Sequence, residues 1–301
     1  MLARFLTGSL VLLHSKRILM SRQKLGQHFL SDPGWREKIA RAIRVSPHSI
    51  SGQPTQLENF CWIEIGAGHG EMTQHLVKSG APVIAIELDK SLIPTLQRLA
   101  QTHANLTVVP GDVLETDLAT LAAGRRIHIY GNLPYYITSP ILHRFFEYSA
   151  LIDTAHIVIQ LEVAARLTAR PSSKQYGYLS VATQFFARPE FALRLPPGAF
   201  RPPPEVASAL VTLKFPGEAT HLSPAHAAEF LDFVKTCFAQ KRKTLANNLR
   251  TVITSDRVRQ ILNDLQLKQD ARAEQLNIAQ FLALFHAISS TPSASDLGNR
   301  S

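Results

Sequence analysis

The tract spanning residues 63–71, IEIGAGHGE, constrains the fold of this 301-residue chain more than any other. An apolar β-type run passes into a glycine-rich turn and then into a helical pattern. Gly66, Gly68 and Gly70 tolerate positive φ and carry no Cβ, so the backbone at the carboxyl end of a strand can approach a ligand closely. Around this tract, short apolar runs alternate with helical patterns, which is how a parallel sheet with helices on both faces is written. Strands are expected over residues 61–65, 83–87, 106–109, 127–130 and 156–160, with helices over 71–79, 92–101 and 140–148. Two further runs, 191–195 and 210–215, flank PPGAFRPPPEV and predict a closing antiparallel hairpin at the sheet edge.

After Pro216 and Gly217 the pattern changes, and residues 224–288 show helical periodicity without a strand. The division expected is an N-terminal extension over 1–21, a sheet domain over 22–217, a C-terminal all-helical domain over 218–289, and a disordered polar tail over 290–301. The opening MLARFLTGSLVLLHSKRILM has no acidic residue and a short apolar centre but no small-residue cleavage pattern. It reads as a flexible or over-extended start, with Met20 an alternative first residue. No apolar stretch approaches the ~20 residues needed to span a bilayer, so no membrane association is expected. The two cysteines, Cys61 and Cys237, lie in apolar patterns and read as core, which leaves neither a disulfide framework nor a Cys-based metal site.

The glycine spacing is G-x-G-x-G. A dinucleotide fingerprint would place glycine at position 71, where the Glu71 carboxylate would instead face a pyrophosphate. That argues against NAD and suits a cofactor without phosphate, such as S-adenosylmethionine. Glu87 ends the next strand in VIAIELD, where a carboxylate can accept both ribose hydroxyls. Asp112 follows the third strand in VVPGDVL, where it can receive an adenine amine. Either acid alone could be a helix cap or a turn residue. Placed after successive strands, on the edge where open α/β sheets bind ligands, they read as a cofactor site.

The fourth strand ends in YGNLPYY, and Asn132-Leu133-Pro134-Tyr135 has the form N-x-P-Y. An exocyclic adenine amine is a poor nucleophile because its lone pair is delocalised into the ring. If the Asn132 side-chain oxygen and the Leu133 carbonyl accept its two hydrogens, the nitrogen is drawn towards sp³ and its lone pair is aimed at an electrophilic methyl group. Pro134 stiffens the loop, and Tyr135 offers a stacking face worth roughly 1–3 kcal/mol per base.

These motifs make the sequence resemble the ribosomal RNA adenine N6,N6-dimethyltransferases, a group similar also to the mitochondrial transcription factor B proteins and the erythromycin-resistance methylases. The resemblance runs over residues 22–289 through KLGQHFLSD, EIGAGHGE, IELD, GDVL, GNLPYYITSPIL, QLEVAARL, YGYLSV, AFRPPPEVASALV and FAQKRKTLANNL. It implies a Rossmann-like S-adenosylmethionine-dependent methyltransferase sheet followed by a small helical domain. It implies that His28 and Leu30 contact the cofactor with Gly66, Gly68, Glu87, Asp112 and Asn132, and that Phe200 sandwiches the target base opposite Tyr135. The position of His28 is Asn in many relatives. It further implies dimethylation of two adjacent adenosines near the 3′ end of small-subunit ribosomal RNA, within an immature ribosomal particle, by a cytoplasmic monomer.

Lys and Arg outnumber Asp and Glu by 32 to 23, which points to a polyanionic partner. Lys235, Lys241, Arg242, Lys243 and Arg250 form an acid-free run; a solvated face is the ordinary reading of such a run, but QKRKTLANNL matches the family motif, so Lys241, Arg242 and Lys243 are assigned to RNA phosphates. Lys16, Arg17, Arg22 and Lys24 suggest a second basic arm. Two rival activities fit the sequence less well. Cytosine-C5 methylation needs a Cys nucleophile, and none lies in these loops. A non-catalytic RNA-binding role sits poorly with an intact N-x-P-Y tract.

Overall fold

A seven-stranded sheet organises the chain, in a computed structural model that describes residues 27–45, 59–218 and 222–289. The expected N-terminal extension, its basic arm and the C-terminal tail fall outside the described residues. In chain order the strands are β1 (Phe29–Leu30), β2 (Phe60–Ile65), β3 (Val83–Glu87), β4 (Leu106–Pro110), β5 (Arg126–Asn132), β6 (Ile152–Gln160), β7 (Arg188–Leu195), β8 (Phe200–Arg201) and β9 (Ser208–Lys214). The large sheet runs β4-β3-β2-β5-β6-β9-β7. Strands β2 to β6 pair parallel, whereas β9 pairs antiparallel with both β6 and β7.

The apolar runs form the inner strands because both sheet faces are covered. All six residues of β2 are buried, as a central parallel strand requires. Alternation then sorts its side chains. Ile63 and Ile65 pack under α4 (Leu118–Ala122), α5 (Thr138–Glu147), α6 (Leu161–Leu167) and α7 (Tyr178–Phe186). Trp62 packs on the opposite face, under α1 (Pro33–Ala42), α2 (Thr73–Leu76) and α3 (Ile93–Thr102). Helix α1 starts sharply because the Asp32 carboxylate accepts the Trp35 N–H at 2.9 Å while Pro33 fills a position whose N–H would have no partner.

Two expectations are revised in detail. The helix expected over 71–79 is only the four-residue α2 followed by a 3-10 turn, Val77–Ser79, because Gly80 at φ 79° stops it and turns the chain towards β3. The expected edge hairpin is not a simple one. Strands β7 and β9 do pair at the edge, but the segment joining them detours through β8, which pairs antiparallel with β1 and matches Leu30 to Phe200.

Among the described residues four α-helices follow: α8 (Pro224–Cys237), α9 (Leu245–Asn248), α10 (Ser255–Asp264) and α11 (Ile278–Ser289). Their core is not closed by themselves. It includes Ala169, Tyr176, Val181 and Phe185 from the sheet side of residue 217, with Phe185 stacked on Phe230 at a centroid distance of 4.6 Å. Meanwhile Leu179 and Ala182 of the same α7 pack into the sheet core. The Tyr176 hydroxyl donates to the Leu276 carbonyl at 2.9 Å, and the Ser172 N–H to the Glu274 carbonyl at 2.7 Å.

Gly217 crosses this junction with its backbone pressed on α7. A Cβ there would stand 2.5 Å from the Ala187 nitrogen and 2.6 Å from the Gln184 and Phe185 carbonyl oxygens. Because those neighbours are backbone, they cannot rotate away. Gly217→Ala is therefore expected to cost about 1–3 kcal/mol, the usual scale of overpacking, and to lower the melting temperature of the full chain. An unchanged melt would refute this reading of the junction.

Candidate active site

The carboxyl ends of β2, β3 and β5 open on one pocket. Its lining is Gln27, His28 and Phe29, then Gly66 and Gly68, then Glu87, then the Asn132–Tyr135 tract. Gly66, Gly68 and Gly70 all have positive φ, at 67°, 61° and 87°. A Cβ on Gly66 would meet no atom within 4 Å, so this backbone lies open to the pocket. A Cβ on Gly68 would lie 3.2 Å from the Phe29 ring, so glycine also lets the tract before α1 fold over the turn.

Glu87 is 3 % exposed and holds the floor. Its Oε2 accepts the Gly68 N–H at 2.8 Å and its Oε1 the Asp89 N–H at 2.9 Å. Each carboxylate oxygen retains a further lone pair for a ligand hydroxyl. The Asn132 amide is oriented by chemistry: Nδ2 donates to the His28 carbonyl at 2.7 Å, so Oδ1 faces away from that bond and accepts none among the described residues. Gly131 lets the Leu133 side chain fold back on the strand end, since a Cβ there would stand 2.8 Å from Leu133 Cδ2 and push it aside. The Pro134 carbonyl accepts the Ile137 N–H and the Thr138 hydroxyl, which locks the loop into α5.

Tyr135 is half-buried, and its hydroxyl is hydrogen-bonded to Ser208 Oγ at 2.7 Å. Its ring lies 5.6 Å from the His28 ring, tilted by 32°. The His28 Nδ1 hydrogen-bonds to the Pro202 carbonyl at 2.7 Å.

Not every residue singled out in the sequence reaches the pocket. Leu30 and Phe200 are 5 % and 2 % exposed and pack into the sheet core, because the β1–β8 pairing lays them against each other. Phe200 therefore presents no free face to a base here, contrary to the sandwich expected opposite Tyr135. Asp112 lies one strand further out, its Oδ1 accepting the Leu114 N–H at 2.9 Å. Lys241, Arg242 and Lys243 are exposed in the turn between α8 and α9, away from the pocket lining. Buried Asn248 pins that turn by donating to the Cys237 and Gln240 carbonyls at 2.7 and 3.2 Å. Gln27 and Phe29 were missed as lining residues although they adjoin His28 in GQHFL; nothing in the sequence marked Ser208 as the partner of Tyr135.

Both cysteines are fully buried, as their patterns suggested, and burial pushes Cys61 up to about 11. Neither lines the pocket, which leaves cytosine-C5 chemistry without a nucleophile among the described residues. No described helix is long and apolar enough to cross a membrane.

A sheet of this order, with a glycine turn set over a carboxylate and an N-x-P-Y tract at the same edge, defines a Rossmann-like methyltransferase. Comparison with known proteins narrows the class. Residues 18–290 match the family described as ribosomal RNA adenine dimethylase, and the chain belongs to that family. The protein named ribosomal RNA small subunit methyltransferase A in Koribacter versatilis is 36 % identical over 280 residues, covering 89 % of this chain and 94 % of its own length. The protein of the same name in Xanthomonas euvesicatoria is 37 % identical over 266 residues, covering 88 % and 95 %. Among solved structures, a dimethyladenosine transferase from Plasmodium falciparum superposes with a TM-score of 0.71 at 24 % identity, over 87 % of this chain and 98 % of that one. The 23S rRNA methyltransferase ErmE gives 0.64 at 27 % identity, over 87 % and 100 %. The chain is an enzyme of ribosomal RNA adenine methylation.

Beneath the glycine turn lies a second carboxyl. Glu64, buried in β2, accepts the Thr73 hydroxyl at 2.5 Å and sits in register with Tyr130, whose buried hydroxyl has no hydrogen-bond partner among the described residues. Burial pushes the Glu64 carboxyl up to about 8; nearby Glu71 and Glu87 add to the rise and the Thr73 bond opposes it. An unfolded glutamate titrates near 4.3, so the stability this site contributes is full below about pH 4.3 and lost as pH rises towards about 8. Glu64→Gln removes that dependence. The melting temperature of the variant minus that of the parent should grow from pH 5 to pH 8, and a constant difference would contradict the assignment.

Proposed function

We propose that this enzyme binds S-adenosylmethionine in the pocket described above and transfers methyl groups to the N6 amines of two adjacent adenosines near the 3′ end of small-subunit ribosomal RNA. In this reading it acts as a cytoplasmic monomer on an immature ribosomal particle. The relatives named for the small ribosomal subunit support the RNA assignment.

The pocket suits that cofactor. The turn is open at Gly66, Glu87 has lone pairs for ribose hydroxyls, and Glu71 stands where a phosphate-binding turn would need glycine. In the proposal Gly66, Gly68 and Glu87 hold the cofactor, with His28 as a further contact; the cofactor extends beyond the pocket lining to Asp112, one strand further out, and the buried Leu30 supports the wall behind it. Bound there, the cofactor supplies an electrophilic methyl group on a sulfonium.

The observation that carries the chemistry is the bond from Asn132 Nδ2 to the His28 carbonyl. It commits the NH₂ end of the amide and leaves Oδ1 to accept an amine hydrogen from adenine. The Leu133 carbonyl accepts the second hydrogen, Pro134 keeps both acceptors in place, and Tyr135, held by Ser208, stacks on the base. A methylated amine still carries one hydrogen for either acceptor, so the same geometry serves a second transfer. The exposed Lys241, Arg242 and Lys243 neutralise RNA phosphates and read no base.

Asn132→Ala should leave a folded protein that binds RNA but transfers methyl groups at least about 10²-fold more slowly, the scale of a single preorganised electrostatic interaction. Single-turnover rates at saturating cofactor and RNA, set beside a thermal melt, provide the test; near-parental turnover in a folded variant would sink the amine-positioning mechanism. Replacing Lys241, Arg242 and Lys243 together with Ala should weaken RNA binding, with cofactor affinity unchanged. Its log–log salt dependence should flatten by about 0.7–0.9 for each phosphate that the protein no longer neutralises. An unaltered slope would return these residues to a solvated face.

A further inference from the structure

The amine-positioning mechanism leaves one proton unaccounted for. When the adenine nitrogen forms its bond to the methyl carbon, the carbon–sulfur bond breaks with its electron pair left on sulfur, and the nitrogen becomes cationic. One N–H bond must then break, its pair returning to nitrogen. The two acceptors already assigned, an amide oxygen and a peptide carbonyl, are far too weakly basic to hold that proton.

Among the residues that line the pocket, three carry an acidic or basic side-chain group: His28, Glu87 and Tyr135. Both Glu87 oxygens bond to backbone N–H groups at the cofactor end, and Tyr135 is tied through its hydroxyl to Ser208. His28 is the base that remains. Its Nδ1 faces the Pro202 carbonyl at 2.7 Å; a carbonyl can only accept, so Nδ1 carries the hydrogen and the neutral ring keeps its lone pair on Nε2. Among the described residues Nε2 takes no partner. The ring stands beside the Tyr135 ring, and the backbone carbonyl of the same residue holds Asn132.

We propose that His28 is a catalytic residue that takes the proton released by the adenine amine on methylation, onto Nε2, directly or through one water. The resulting imidazolium donates from Nδ1 to the Pro202 carbonyl, which stabilises the charged ring. One residue thus serves the reaction twice: its main chain orients the acceptor of the amine hydrogen, and its side chain removes that hydrogen. The role rests on the reaction proposed above.

The test pairs His28→Ala with a measurement on the parent protein. At saturating cofactor and RNA, His28→Ala should slow single-turnover transfer by about 10²-fold, the lower end of general-base contributions, with RNA affinity and melting temperature retained. Added imidazole should restore a large part of that rate. In the parent protein, ¹⁵N NMR of the His28 ring should show the neutral form protonated on Nδ1 and bare on Nε2. A variant of full rate, a slow variant that imidazole does not rescue, or a neutral ring protonated on Nε2 each overturns the role while leaving adenine methylation standing. A parent protein that methylates no adenosine overturns the reaction and this role together.

Discussion

The hydrogen bond between the Asn132 amide and the His28 carbonyl is the constraint on which the site depends. It joins residues 104 positions apart and fixes three things at once. It ties the tract before α1 to the end of β5, it decides which end of the Asn132 amide faces the pocket, and it closes one wall around the glycine turn. Without it, the tract 27–30 would lose its polar tie to the central sheet, leaving the short β1–β8 pairing, the His28 ring's bond to Pro202 and the packing of Phe29 over Gly68. A bond of ordinary net strength, about 1 kcal/mol, matters here because of what it orients more than what it stabilises.

The same logic explains why β8 exists. A chain passing directly from β7 to β9 could close the sheet edge with a tight turn. It instead reaches across to β1, buries Phe200 and Leu30 together, and brings the Pro202 carbonyl to the His28 ring. Ser208, at the start of β9, then meets the Tyr135 hydroxyl. The proline-rich detour thus supplies two anchors to side chains contributed by distant parts of the chain.

Much of this was legible in the sequence, and the reasons are local. Parallel strands covered on both faces are written as continuous apolar runs, so β2 and β3 could be placed almost to the residue. The glycine turn, Glu87 and Asn132 each sit at the end of such a run, and strand order carries them to one edge. What stayed hidden depends on contacts between distant segments. Gln27 and Phe29 join the pocket only because the tract before α1 folds over Gly68, and no spacing encodes that. Phe200 was expected to face a base because the family resemblance sets it opposite Tyr135. Its burial follows from a two-residue strand pairing too short to leave a pattern. Ser208 and Asn248 are small polar residues whose partners lie 73 and 11 residues away, and a buried hydrogen bond leaves no periodicity behind.

Helix α7 has consequences beyond architecture. One side of it completes the sheet core and the other completes the core of α8–α11, so neither hydrophobic body is sealed without the other. The part that grips RNA in the proposed function and the part that holds the cofactor are therefore not beads on a string. To melt either is to strip half the packing from a helix the other needs, and the two should lose their structure in one transition. A ligand that steadies one end then lends thermodynamic weight to the far end without any change of shape between them. In evolutionary terms, the helical part cannot be traded for another module by cutting at Gly217, because the seam between the two bodies runs through the middle of a helix rather than along a linker.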